Sequence, residues 1–200
     1  DRPWSRGLGD VYKRQFIYFI AFTGLTNILI FFLQESLNWT TKASSGTLVV
    51  VGIIAIIVQG GLIGPLVKQF GEMRLTLIGS GFILVACALL ITAPKENATI
   101  NIYSAVSFLA VGAGLITPTL RALISKKLDV DKQGSILSNL QGLQSLGGVL
   151  GIAMAGRVYD SFGPKSPFIA GSVILLFMIY LIAEGKSNNS FNNQKSKVLK

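Results

Sequence analysis

The sequence contains no histidine and a single cysteine, Cys87. These two shortages exclude a good deal of chemistry. A disulfide framework, a zinc site built from Cys or His, a Ser–His triad and an imidazole proton shuttle all need residues that this chain lacks. Charge is scarce as well: only 14% of residues are Asp, Glu, Lys or Arg, against about a quarter in an ordinary soluble domain. No paired carboxylates and no phosphate-cradling glycine loop stand in the sequence, so no enzyme activity, no metal and no cofactor is expected. The charge that is present has a sign, with a formal net of +9. A positive balance can mark a nucleic-acid binder. Here the basic residues sit in short clusters between long apolar runs, as on the rim of a membrane protein, and no nucleic-acid partner is expected.

The apolar runs carry the information. Half of the 200 residues are apolar, and the stretches free of charge are 15–34, 43–67, 75–94, 97–120, 133–156 and 166–183. Each is close to the roughly 20 residues that cross about 30 Å of hydrocarbon as a helix. In lipid every backbone N–H and C=O needs an internal partner, which restricts spanning segments to helices and closed barrels. Barrel strands alternate apolar with polar residues; Val49 to Val58 is apolar on every side and does not. The expected fold is therefore an all-α membrane protein with six transmembrane helices in one bundle. The expected spans are about 16–34, 46–67, 75–93, 99–120, 135–156 and 166–184. Short loops make successive helices antiparallel neighbours. The tail over 185–200, rich in Asn, Ser and Lys, is expected to be solvated and disordered.

Residues 5–15, Ser-Arg-Gly-Leu-Gly-Asp-Val-Tyr-Lys-Arg-Gln, look like the translation of a sequencing-library adaptor. On that reading residues 1–15 are not native, native sequence begins near Phe16, and the true beginning lies upstream. Lys13 and Arg14 are then left out of the topology argument. The 68–74 and 121–132 loops and the tail lie on one side of an even number of spans and hold ten basic residues, against four on the other side (Lys42, Lys95, Arg157, Lys165). The positive-inside rule puts the tail in the cytoplasm and the chain in a plasma or bacterial inner membrane. Asn38-Trp39-Thr40 and Asn97-Ala98-Thr99 match the N-glycosylation pattern on the expected outer side, a pattern short enough to arise by chance.

Within the spans, small residues recur at one-turn spacing: Gly60-x-x-x-Gly64 in the second and Gly147-x-x-x-Gly151-x-x-x-Ala155 in the fifth. Such stripes pack membrane helices closely. Polar residues also share faces. Thr23, Thr26, Asn27 and Gln34 lie on one side of the first helix, and Ser138, Gln141 and Ser145 on one side of the fifth, with Gln144 close by. These faces either line a water-filled cavity or hydrogen-bond a neighbouring helix. No ionisable residue falls in the middle of any expected span, which argues against an ion-coupling site in this part of the chain.

Two motifs carry a family resemblance. Gly64-Pro65-Leu66-Val67-Lys68-Gln69-Phe70-Gly71-Glu72-Met73-Arg74 resembles the loop signature G-x-L-x-D-R-x-G-R-[RK] of major facilitator transporters, in its repeated copy between helices eight and nine. Gly64, Leu66 and Gly71 match. Arg74 closes the loop one place late, and Lys68 stands where the pattern asks for an acid. The order Gly114-Leu-Ile-Thr-Pro-Thr-Leu-Arg121, then Gln141-Gly-Leu-Gln-Ser-Leu-Gly-Gly148, then Val158-Tyr-Asp160 with Phe162-Gly163 and Pro167-Phe168 looks like helices ten to twelve of the drug:proton antiporter branch, which includes tetracycline exporters. The resemblance implies helices seven to twelve, the carboxy-terminal half of a twelve-helix fold whose bundles are each an inverted three-helix repeat. It implies proton-coupled efflux of small amphipathic compounds by alternating access, with the bilayer, a missing six-helix half and a small-molecule substrate as partners. Thr23, Asn27, Gln59, Thr117, Gln141 and Gln144 become cavity candidates, and Gly64, Lys68, Gly71 and Arg74 the gating loop. The alternatives are a half-size homodimeric transporter or channel, and a non-catalytic membrane subunit.

Overall fold

The computed structural model describes the backbone of residues 3–94, 98–125 and 133–198, and side chains within 12–94, 98–123 and 138–184. The loop lysines 95, 126, 127 and 132, and Asn97, lie outside the described residues. Helix α1 (Pro3–Phe31) runs on into a π-helical turn, Phe32–Ser36. Helices α2 (Thr41–Ile57) and α3 (Ile63–Phe70) form one rod joined by a second π-helical turn, Val58–Leu62. Helices α4 (Glu72–Thr92), α5 (Thr99–Ser125), α6 (Gln133–Phe162) and α7 (Ser166–Val198) complete six rods, and all regular structure among the described residues is helical.

Among the described residues, five segments are long and apolar enough to span a membrane: Tyr12–Ser36, Thr41–Phe70, Glu72–Thr92, Thr99–Leu123 and Ser166–Glu184. Helix α6, the fifth expected span, has the length and is the least apolar of the six, because Gln, Ser, Asn and Gly interrupt its apolar residues. The second span starts at Thr41 rather than 46, where the Thr40 hydroxyl accepts the Ala43 amide at 3.3 Å and caps the helix. The apolar part of the first helix is described from Tyr12 to Ser36. Arg14 and Gln15 are buried, and Arg14 Nη2 donates to the Leu181 carbonyl of α7 at 2.9 Å. At the other end, α7 continues as helix to Val198, past the apolar span that ends at Glu184, where composition suggests disorder. Adding a residue to an existing helix costs far less than nucleating one.

The packed pairs are α1 with α6 and α7, α4 with α5 and α7, α2 with α5, α6 with α7, α3 with α4, and a smaller contact of α1 with α5. Exchanging α1 with α5, the α2–α3 rod with α6, and α4 with α7 maps this set onto itself. The bundle is thus a repeat of three helices, and an odd number of spans per repeat inverts the second copy. Two left-handed glycines make the tight corners. Gly71 (φ 76°) takes the chain from α3 straight into α4, and Gly163 (φ 91°) separates α6 from α7. Most of the core, including Phe32, Ile83, Ile102, Ile116, Phe168 and Met178, is shared by α1, α4, α5 and α7.

Small residues set the closest approaches. A Cβ on Gly24 of α1 would lie 2.8 Å from the Gly151 carbonyl of α6, and one on Gly112 of α5 would lie 2.6 Å from the Gly79 carbonyl of α4. Only glycine permits such backbone contact, and without a hydrophobic drive between helices in lipid that contact supplies the attraction. The Gly147–Gly151–Ala155 stripe packs as its spacing suggests, against Phe16, Phe19 and Gly24 of α1. The Gly60–Gly64 stripe does not. Both glycines are exposed, and a Cβ on Gly60, Gly61 or Gly64 would meet nothing within 4 Å. Spacing shows that a face is smooth, but not which neighbour it meets.

Candidate functional site

Helix α5 organises the polar interior. Pro118 lies within it and removes the hydrogen bond that the Gly114 carbonyl would otherwise accept. One turn apart on its inner part stand Thr117 and Arg121. The Tyr18 and Thr117 hydroxyls lie 3.3 Å apart, linking α1 to α5. Arg121 Nη2 donates to Gln144 Oε1 at 3.2 Å, linking α5 to α6. The α5 face that carries both residues therefore meets the first helix of one repeat and the middle helix of the other. The span Thr99–Leu123 is centred on Val111, so Thr117 lies about 9 Å from mid-membrane and Arg121 about 15 Å, near the boundary.

The structure brings some of the sequence candidates together and leaves others apart. Gln144 joins the cluster, half-buried, as the acceptor from Arg121, and Thr117 joins it through Tyr18. Gln141 is exposed one turn earlier on α6, and its carbonyl accepts the Ser145 hydroxyl at 3.0 Å. On α1, whose span centres on Gly24, Thr23 is half-buried against α6, with its Oγ1 3.8 Å from where a Gly148 Cβ would stand. Asn27 is exposed, and its Nδ2 donates to the Thr23 carbonyl at 2.9 Å. Gln59, in the π-helical turn of the second rod, is exposed. It belongs to the seam at Gly114 and has no described contact with the Tyr18–Gln144 group. In the loop signature, Gly64, Lys68 and Arg74 are exposed and Gly71 forms the corner, its N–H donating to the Val67 carbonyl at 2.9 Å.

Sequence reasoning missed two members of the cluster. Tyr18 was hidden among the aromatics of the first span, and its partner is 99 positions away. Arg121 was counted as a loop charge, although it ends an unbroken apolar run and sits one turn beyond Thr117; that adjacency was the available signal. At the opposite end of the bundle, the Tyr159 hydroxyl of α6 donates to Glu35 Oε2 at 2.9 Å, a second α1–α6 link at the membrane edge.

Comparison with known proteins decides the family. The Major Facilitator Superfamily profile matches residues 2–152. The chain belongs to the Major Facilitator Superfamily. Membership sets it among transporters, not enzymes. It is 26% identical over 159 residues to the class C tetracycline resistance protein of Escherichia coli, covering 78% of this chain and 39% of that protein. It is 28% identical over 185 residues to the class G protein of Vibrio anguillarum, covering 88% of this chain and 45% of the relative. The mouse hippocampus abundant transcript 1 protein is 22% identical over 147 residues, 74% of this chain and 29% of its own length. The chain thus spans less than half the length of these relatives. Among solved structures, an auto-inhibited POT family peptide transporter superposes with a TM-score of 0.75 at 17% identity, over 91% of this chain and 37% of its own. The POT family transporter PepTSo gives 0.68 at 19% identity, over 93% and 38%. Identities this low establish the shared fold.

Proposed function

We propose that this chain is the carboxy-terminal half of a secondary active transporter that exports small amphipathic compounds by alternating access, driven by protons. The observation that carries the reading is the unpartnered face of the second rod. Gly60, Gly61 and Gly64 lie bare beside exposed Ile56, Ile57 and Leu62, and the symmetry-related α6 exposes Leu146, Val149 and Leu150. A smooth, close-packing surface without a partner fits a second bundle that slides across it. The relatives named for tetracycline resistance support the substrate class, and the coverage supports a missing amino-terminal half. Substrate would lie between the halves, on the side where Thr117, Arg121 and Gln144 gather, with Thr23, Asn27, Gln59 and Gln141 as further lining. Coupling carboxylates would belong to the other half, since the described spans carry no acid near mid-membrane. The protein would sit in the cell membrane with its carboxy terminus cytoplasmic.

Everted vesicles bearing the intact gene product should accumulate a fluorescent cationic or tetracycline-like compound when acidified inside, and lose it on addition of a protonophore. Arg121→Ala and Gln144→Ala should each lower the rate about ten-fold or more, with the protein still inserted. Uptake unaffected by the protonophore would contradict proton coupling, and unchanged rates in both variants would move the site elsewhere. The same bare face would equally receive a second copy of this bundle, the homodimeric alternative; a cysteine placed at Gly64 that cross-links chain to identical chain would favour it.

A further inference from the structure

Between α4 and the first half of α5 lies an open groove of about 390 Å³, lined by Phe82 of α4 and by Tyr103, Ser104, Ser107, Phe108 and Val111 of α5. Its polarity is sorted by depth. Phe82 is the central residue of the span Glu72–Thr92 and Val111 that of Thr99–Leu123, so both mark mid-membrane. Tyr103 lies eight residues from Val111, about 12 Å towards the helix start and the membrane surface. The Tyr103 and Ser104 hydroxyls occupy the shallow end, and Ser107 lies between them and Phe108, about 6 Å from mid-membrane. The deep end is apolar and floored by the stacked rings of Phe82 and Phe108, 5.7 Å between centroids. At the mouth, the Trp39 ring lies 6.0 Å from that of Tyr103, a Trp–Tyr pair of the kind found at headgroup level. The Ser107 hydroxyl is used internally, donating to the Tyr103 carbonyl at 2.7 Å. The Tyr103 and Ser104 hydroxyls have no partner among the described residues. Gly46 leaves room for the Tyr103 hydroxyl, which would stand 3.3 Å from a Cβ there.

We infer that this groove holds one membrane phospholipid, its acyl chain along Phe82, Phe108 and Val111 and its glycerol-ester or phosphate oxygens accepting from Tyr103 and Ser104. The order of polarity matches a lipid lying in its own leaflet, head outward. The lining has donors but no cation, so the site selects the ester and chain and not the headgroup charge. The symmetry-related position, between α1, α6 and α7, has no such room: Leu25 fills the space over Gly171, and only about 40 Å³ remains. The inference is independent of what the protein transports.

The test uses the whole 200-residue chain in nanodiscs containing a trace of phosphatidylcholine with a photoactivatable group midway along one acyl chain, with adducts mapped by mass spectrometry. Adducts on the Phe82 and Phe108 segments should saturate and be displaced by unlabelled phosphatidylcholine. Adducts on the exposed α7 residues Val173, Leu176 and Phe177 should rise in proportion to probe, as for bulk lipid. Phosphatidylglycerol of the same chains should displace as well as phosphatidylcholine. Ser107→Phe, which fills the groove, should abolish the saturable adducts. Tyr103→Phe, which keeps the shape, should lower occupancy about five-fold, as loss of one hydrogen bond predicts. Groove adducts that are absent, or that scale with probe as those on α7 do, overturn the inference, as does full saturable labelling in both variants.

Discussion

The two symmetry-related seams that join the three-helix repeats follow one packing plan but fill it differently. Where α5 meets α4, backbone meets backbone: Gly79 and Gly112 touch, and farther along the same seam the Thr76 and Thr119 hydroxyls lie 3.1 Å apart in a buried contact. Where α7 meets α1, the equivalent seam is made of side chains. Leu25 covers Gly171, and the Phe32 and Phe168 rings meet edge to face at 5.1 Å. Backbone contact cannot yield to a larger side chain, whereas a leucine end can turn aside. One seam between the repeats is thus held by geometry that tolerates no change, and the other by packing that can adjust. A third surface, the bare glycine face of the second rod, also carries glycines at close spacing and has no partner among the described residues.

Substitutions can break this contrast. The largest effect is expected at Gly151, where a Cβ would press on the Ile20 carbonyl and the Gly24 amide. Gly151→Leu should prevent the bundle from forming, seen as loss of a monodisperse peak in mild detergent. Next is the direct comparison. Gly112→Ala, which meets the Gly79 carbonyl, should destabilise by about 2–3 kcal/mol, and Gly171→Ala, which meets only the end of Leu25, by about 1 kcal/mol or less. Denaturant titration in micelles, followed by helical circular dichroism, reads both, and equal losses would erase the contrast between the seams. Thr119→Val should cost about 0.6 kcal/mol, the typical worth of a hydrogen bond between membrane helices. The smallest effect is expected at Gly64. Gly64→Leu should leave the stability of this bundle unchanged within about 0.5 kcal/mol, yet cut transport by the intact protein at least ten-fold. A Gly64→Leu protein that transports normally would remove the bare face from the mechanism.

The rods were legible in the sequence because hydrocarbon thickness imposes a length and the intervals between charges display it. The loop signature and the Gly147–Gly151–Ala155 stripe were legible too, since each is a local pattern with a local cause. Helix α6 is the least apolar of the six, because its amides and glycines lower hydropathy without adding charge. The burial of Arg14 and Gln15 was not legible, because both were assigned to the adaptor-like segment. A guanidinium near a membrane edge can reach a helix carbonyl, as Arg14 does at Leu181. The polar cluster was half legible. Thr117 and Gln144 stood out as polar residues in apolar helices. Their partners Tyr18 and Arg121 did not, because those pairs are created by helix packing across 99 and 23 positions. Nothing in one chain's spacing specifies which helices become neighbours, and the same limit left the Gly60–Gly64 stripe without its correct surface.

The central claim is that the bare face belongs against a second, homologous bundle. Its most direct test is the coding sequence upstream of Phe16 in the intact gene. The account predicts six further apolar spans in the same reading frame, with the acidic loop signature between the second and third and at least one carboxylate within a span. An initiation codon adjacent to Phe16, with no such spans before it, would contradict the account and leave the six-helix homodimer in its place.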